Sequence, residues 1–144
     1  MTVLAQSAAP PPGEVSINGT ALVVDRGGAL YWPREGVLAV ADLHLEKGSS
    51  FARRGVLLPP YDTAATLARL AAVIMRYAPR CVIALGDSFH DGGGPNRLAD
   101  ADRTQLRALQ VGRDWIWITG NHDPEPADNI GGQFGGALAI GALT

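Results

Sequence analysis

The sequence has little cysteine, no excess of basic residues and no long apolar run. Its one cysteine, Cys81, has no second cysteine to pair with, which excludes a disulfide-stapled secreted domain. With 12 Lys+Arg against 14 Asp+Glu and a formal net charge of -2, bulk charge does not favour tight nonspecific binding to nucleic acid. The most apolar stretch, residues 37–41, ends at Asp42, far short of the roughly 20 apolar residues of a membrane-spanning helix. We therefore expect a cytoplasmic protein with no membrane segment.

The composition is that of a globular protein. Hydrophobic residues make up 47% of the chain and charged residues 18%, whereas disordered chains are polar and highly charged. A length of 144 residues fits one domain with a real core. Residues 1–13 end in Pro10-Pro11-Pro12-Gly13 and are predicted to form a flexible leader, so the predicted domain spans residues 14–144.

Short apolar segments predict the strands. Residues 21–24 and 29–32 flank Gly27-Gly28, which indicates a β-hairpin. Three further runs have the continuous apolar character of buried strands. These runs are residues 37–41, 81–85 and 115–119.

Two helical patterns alternate with the last three strands. Residues 62–76 place Leu67, Leu70 and Ile74 on one face at helical spacing, and residues 98–110 give a second, more polar helix. The order strand, helix, strand, helix, strand predicts a parallel α/β sheet with right-handed crossovers.

Each of these three strands is followed by a polar cluster. The clusters are Asp42-Leu43-His44, Gly86-Asp87-Ser88-Phe89-His90-Asp91 and Gly120-Asn121-His122-Asp123. In an open parallel sheet, ligands bind beyond the carboxyl ends of the strands, so the clusters are expected to converge on one edge.

The residue types in the clusters suit a metal site. Asp and Asn supply oxygen and His supplies nitrogen, a combination that fits Mn, Fe or Zn. Asp42 and His44 are two residues apart and can face the same side of an extended segment. A carboxylate such as Asp87 can bridge two ions, and ion pairs about 3.5–4 Å apart serve phosphoryl chemistry. Any one cluster alone is more often turn chemistry, but together they contain all three histidines of the chain, which favours a metal site.

In this order and spacing, the D-x-H, G-D-x-x and G-N-H-D blocks resemble the calcineurin-like metallophosphoesterase superfamily. The phrase A-D-L-H-L-E-K-G-S-S-F-A-R-R-G-V-L-L-P-P-Y-D-T at residues 41–63, followed by G-D-S-F-H-D, resembles more closely the ligase-associated DNA damage response endonuclease (PdeM) family. The resemblance covers nearly everything after the leader. It implies an α/β fold, a metallophosphoesterase-type β-sandwich flanked by helices. This chain would supply the N-terminal part, with an incomplete second sheet.

The resemblance also implies roles for the cluster residues. Asp42 and His44 would bind the first of two divalent ions, Asp87 would bridge both, and Asn121 would bind the second. Mn²⁺ is the expected metal, with Fe or Zn as alternatives, and a hydroxide between the metals would be the nucleophile.

Two further residues follow Asn121 in the motif. His122 would act as general acid or stabilise the transition state. Asp123 would orient His122 through a hydrogen bond that fixes its tautomer.

Substrate contacts are expected in two loops. Lys47, Arg53 and Arg54 follow the D-x-H block and could contact a nucleic-acid backbone, although for each residue taken alone ordinary surface charge is the slightly favoured explanation. His90 could touch substrate or be a solvated loop histidine.

The chain departs from the family pattern after His122. The family has a lone His and then a G-H-x-H block, whereas no histidine follows His122 here. We therefore expect this chain to be the N-terminal part of a longer enzyme, with a weak second metal site.

The leading hypothesis is a dinuclear-metal phosphoesterase that cleaves phosphodiester bonds as a DNA endonuclease in repair. The resemblance also suggests functional association with a DNA ligase, a helicase and an exonuclease. The alternatives are a nucleotide or phosphoprotein phosphoesterase of the same superfamily, or a metal-binding fragment without turnover.

Overall fold

The structure, a computed structural model, describes residues 13–41, 43, 45, 62–86, 88, 98–118 and 130–136. The strands in chain order are β1 Glu14–Ile17, β2 Thr20–Asp25, β3 Ala29–Trp32, β4 Val37–Val40, β5 Cys81–Leu85, β6 Asp114–Ile118 and β7 Gln133–Gly135. The helices are α1 Asp62–Tyr77, between β4 and β5, and α2 Asp100–Leu109, between β5 and β6. These elements give the α/β class that the sequence predicts.

The strands of the described segments form one mixed sheet of seven strands whose spatial order is the chain order. The first four strands pair antiparallel, and the predicted hairpin at Gly27-Gly28 is confirmed by the pairing of β2 with β3. From β4 onwards the pairing is parallel, as the alternation of strands and helices predicts. The sequence prediction missed β1 and β7 at the two edges.

Both described helices pack on the same face of the sheet, which we call the helix-covered face. Its core consists of Ala29, Leu38, Val40, Leu45, Leu67, Leu70, Val73, Ile74, Val82, Ala84, Leu98, Leu106, Trp115, Trp117 and Ile130. The predicted stripe on α1 supplies Leu67, Leu70 and Ile74 to this core. No helix within the described segments is long and apolar enough to cross a bilayer.

The opposite face of the sheet is also apolar. Leu22, Trp32, Val37 and Ile83 form its buried cluster, and Leu30, Cys81, Ile116 and Ile118 pack against them. This division follows from the two-residue period of a strand, which sends successive side chains to opposite faces. Along β6, Trp115 and Trp117 accordingly lie on the helix-covered face, and Ile116 and Ile118 lie on the opposite face.

The predicted element bounds are off by one or two residues. The second helix begins at Asp100 rather than at Leu98, because Ala99 is extended (φ -63, ψ 149) and the acidic first turn, Asp100 and Asp102, favours a helix start there. Leu98 is nevertheless buried in the core. The last predicted strand begins one residue early, at Asp114, which pairs with Cys81.

A buried carboxylate connects α1 to the β2–β3 hairpin. Asp25 is 3% exposed and accepts hydrogen bonds from the Tyr77 hydroxyl at 2.6 Å and from the Gly27 N–H at 2.7 Å, and it pairs with Arg76. The Tyr77 hydrogen bond, with help from Gly27 and Arg76, holds the pKa of Asp25 below its ordinary value, although burial opposes this. Tyr77 also stacks on Tyr31 with ring centroids 4.6 Å apart. These contacts fix the C-terminal end of α1 against the sheet.

Candidate active site

The three strands that precede the polar clusters end side by side. Val40 of β4 lies opposite Ala84 of β5, and Leu85 of β5 lies opposite Ile118 of β6. Because the strands are parallel, all three carboxyl ends lie at one edge of the sheet, where α/β sheets bind their ligands. The convergence of strand ends that the sequence predicts is therefore confirmed.

A backbone hydrogen bond joins the segments beyond two of these strands. The N–H of Leu45 donates to the carbonyl of Ser88 at 2.8 Å, and both residues are buried. Leu45 directly follows His44, and Ser88 directly follows Asp87. The described residues that directly follow His44 and Asp87 in the chain are thus joined to each other beyond the ends of β4 and β5.

The glycine of the G-D block, Gly86, occupies a position whose backbone conformation favours glycine. Gly86 is buried and has a φ of 73°, and its N–H donates to the carbonyl of Ala84 at 3.1 Å. A residue with a Cβ is strained in this left-handed conformation. Glycine therefore lets the chain turn out of β5 immediately before Asp87.

The residues predicted to carry the chemistry lie outside the described residues. They are Asp42, His44, Asp87, Asn121, His122, Asp123, His90, Lys47, Arg53 and Arg54, and their roles stay predictions. Within the described segments, no three His, Cys, Asp or Glu side chains come together as a possible metal cluster. The predicted set of carboxylate, imidazole and amide donors remains chemically suited to divalent ions. The Leu45–Ser88 hydrogen bond joins the residues that directly follow two of these predicted ligands, His44 and Asp87, in the chain.

A cavity of about 160 Å³ lies beside this edge, between the β2–β3 hairpin, the end of β4 and helix α1. Ala41 and Leu43, the neighbours of Asp42 on either side, line it together with Thr66 and Arg69 of α1. The sequence analysis missed Thr66 and Arg69. Neither belongs to a motif, and the cavity joins elements that are far apart in the chain.

Comparisons with known proteins agree with this architecture. The model of the family described as calcineurin-like phosphoesterase matches residues 36–140. Among solved structures, the chain is similar to the Pseudomonas putida nuclease MPE, with 27% sequence identity and a TM-score of 0.64. That match covers 85% of this chain and 58% of the nuclease chain. A search of curated proteins finds no significant match. The family match spans β4 to the residues after β7, including all three polar clusters, and the chain therefore belongs to the calcineurin-like phosphoesterase family.

Proposed function

We propose that this phosphoesterase uses two divalent ions to hydrolyse phosphodiester bonds in DNA, as an endonuclease. The observation that supports the proposal is the Leu45–Ser88 hydrogen bond beyond the carboxyl ends of β4 and β5, because these two residues directly follow His44 and Asp87 in the chain. The solved neighbour is named a nuclease, which supports a nucleic-acid substrate.

In this proposal, Asp42 and His44 would hold one ion, Asn121 would hold the other, and Asp87 would be shared by both. Mn²⁺ is the proposed metal, with Fe or Zn as alternatives. When bound, such a pair of ions activates water and stabilises the attacking and leaving oxygens of phosphoryl transfer. Gly86, directly before Asp87 in the chain, has a left-handed backbone conformation that glycine adopts without strain.

The proton transfer is assigned to His122. A protonated imidazole donates a hydrogen bond, or the proton itself, to the oxygen that leaves. Asp123 accepts a hydrogen bond from the other ring nitrogen and so fixes which nitrogen faces the phosphate. Both residues follow β6, whose end lies beside the end of β5.

The cellular setting is also a proposal. The resemblance of residues 41–63 to DNA damage response endonucleases supports a cytoplasmic role in DNA repair alongside a ligase, a helicase and an exonuclease. A pull-down with this chain as bait, followed by assays for those three activities, tests the association.

The experiment that tests the reaction is hydrolysis of bis(p-nitrophenyl) phosphate with Mn²⁺, with and without chelator. We expect metal-dependent turnover that falls by about 100-fold or more in Asp87→Asn, because this change removes the bridging carboxylate. Asp114→Asn is the matched control, since Asp114 is exposed and begins β6 at the opposite edge of the sheet. Turnover that survives both the chelator and Asp87→Asn would contradict the proposal.

The substrate is tested separately. Plasmid DNA, p-nitrophenyl phosphate, nucleotides and a phosphopeptide are offered to the same preparation. Cleavage of DNA and of the diester, with little hydrolysis of the monoesters, supports the endonuclease. A preference for a nucleotide or for the phosphopeptide would replace DNA with that substrate. Metal binding without turnover on any of them would indicate a catalytically incomplete chain.

A further inference from the structure

We propose that Arg69 and Thr66 of α1 bind a phosphate group of the nucleic-acid substrate next to the bond that is cut. This inference rests on the proposed function, since it assigns a second phosphate site to the same substrate.

The site is the cavity of about 160 Å³ beside the carboxyl ends of the parallel strands, where the predicted metal ligands follow. Ala41 and Leu43 form the wall towards that edge, and Asp42, the first predicted metal ligand, lies between them in the chain. Leu70 and Val73 of α1 supply apolar lining from the helix side. A water molecule occupies only about 30 Å³ in the liquid, so the cavity has room for a phosphate group together with waters.

The polar side chains of the cavity are hydrogen-bond donors. Arg69 Nη2 donates to Thr66 Oγ1 at 3.3 Å, since the two residues lie one turn apart on the same side of α1. The guanidinium has further N–H groups, and the threonine hydroxyl has an O–H of its own. A forked cation next to a hydroxyl is well suited to phosphate oxygens.

The charge of Arg69 is not matched by a carboxylate among the described residues. Arg76, two turns further along α1, pairs with the buried Asp25, and Arg103 of α2 pairs with Asp100. The described contacts of Arg69 are instead the hydroxyl of Thr66 and the cavity that it lines. Of the two arginines of α1, Arg76 thus stabilises the fold through its ion pair, whereas Arg69 lines the cavity beside the candidate site.

Only an extended substrate can use this site. The phosphate that reacts must lie at the predicted metal ligands, so a phosphate in the cavity belongs to a neighbouring position of the same strand. Phosphate contacts of this kind position a nucleic acid without reading its sequence. The site therefore favours oligonucleotides over simple diesters, which carry only one phosphate.

The test compares Arg69→Gln with Arg107→Gln, a change at an exposed arginine of α2. For Arg69→Gln, we expect kcat/KM on a DNA oligonucleotide to fall about tenfold, the loss expected for a charge-assisted hydrogen bond. With bis(p-nitrophenyl) phosphate we expect no change, because that substrate has no second phosphate. Arg107→Gln should leave both reactions unchanged. Thr66→Val should give a smaller loss, on the oligonucleotide alone.

Binding gives a second readout that does not need turnover. Fluorescence anisotropy with the same oligonucleotide should show weaker binding by Arg69→Gln and a salt slope reduced by about one, as expected for one lost phosphate contact. Thermal unfolding of each variant checks that the fold is intact.

Several results would overturn the inference. Equal losses on both substrates, or no loss on the oligonucleotide, would remove Arg69 from a second phosphate site while leaving the proposed reaction intact. If the wild-type chain turned over neither substrate, the proposed function would fail. Anisotropy would then decide the inference, and equal dissociation constants for wild type and Arg69→Gln would refute it.

Discussion

The two faces of the sheet carry similarly apolar strands but differ in what packs on them. On the helix-covered face, α1 and α2 bury Leu38, Val82 and Trp117 to 1% exposure or less. On the opposite face, Val24 and Leu85 are 44% and 49% exposed, and the described residues place no helix there. A shallow groove of about 280 Å³ runs between Val24, Leu30 and Leu85.

The difference shows where the stability of the described part is concentrated. Burial of an apolar side chain stabilises the fold in proportion to the area removed from water, at about 25 cal/mol per Å². On the opposite face, Val24 and Leu85 keep almost half of their side-chain area in water and so contribute less than Leu38 or Val82 do. Its only buried charge, among the described residues, is Asp25, which is paired and hydrogen-bonded.

The comparison is tested most strongly by two leucines on neighbouring strands. We expect Leu38→Ala, on the helix-covered face, to lower the free energy of unfolding by about 2–5 kcal/mol, because it leaves a cavity in a packed core. Leu85→Ala, on the opposite face, should cost about 1 kcal/mol or less, since half of that side chain is already in water. Urea unfolding followed by circular dichroism measures both, and equal losses would show that the faces are equally packed.

The second prediction concerns the buried charge. We expect Asp25→Asn to lower the free energy of unfolding by about 1–3 kcal/mol at pH 7, because it weakens the hydrogen bonds of Tyr77, Gly27 and Arg76 to a buried carboxylate. Asp100→Asn is the control. Asp100 also pairs with an arginine but is fully exposed, so the loss should be much smaller than that of Asp25→Asn.

The same variant has a pH signature. The pKa of Asp25 is lowered by folding, so its stabilisation is present above about pH 3.9, the pKa of an unfolded Asp, and is lost as the pH falls through the folded value. The difference in stability between wild type and Asp25→Asn should therefore shrink below about pH 4. A constant difference from pH 7 to pH 2 would mean that folding does not change the pKa of Asp25.

The smallest expected effect concerns the reactivity of the Cys81 thiol, which reports on the opposite face of the sheet. Cys81 lies on that face and is partly buried. Burial, the larger cause, and the negative charge of Asp114, the smaller one, raise the pKa of its thiol. Since the thiolate is the reactive form, we expect slow reaction with a disulfide reagent at pH 8 and full reactivity in guanidinium chloride. Asp114→Asn should speed the native reaction modestly. Immediate reaction of the native protein would show that this part of the face is open to solvent.

The sequence predicted most of the sheet because buried parallel strands have a strong signal. Continuous apolar runs located β4, β5 and β6, and Gly27-Gly28 located the hairpin. The edges were missed for two physical reasons. β1 has only four residues, of which just Val15 and Ile17 are apolar, and the three residues of β7 extend as a strand only beside β6.

The candidate site, too, has parts that a local sequence pattern predicts and parts that it does not. Motif spacing identified the three strands whose carboxyl ends lie side by side, because each predicted polar cluster follows an apolar run. It could not identify the Arg69 cavity or the Asp25–Tyr77 contact, since both join residues about 40 to 50 positions apart through the packing of a helix on a hairpin. Such contacts depend on how elements dock, which local pattern does not encode.

The order of the strands has a consequence for how the chain reaches this structure. Every described strand pairs only with the strand directly before it and the strand directly after it in the sequence. The hairpins of β1 to β4 close short loops, which cost little entropy, and each later strand needs one crossover to join the sheet. During synthesis, the sheet can therefore grow strand by strand from its N-terminal edge, with each completed strand as the template for the next.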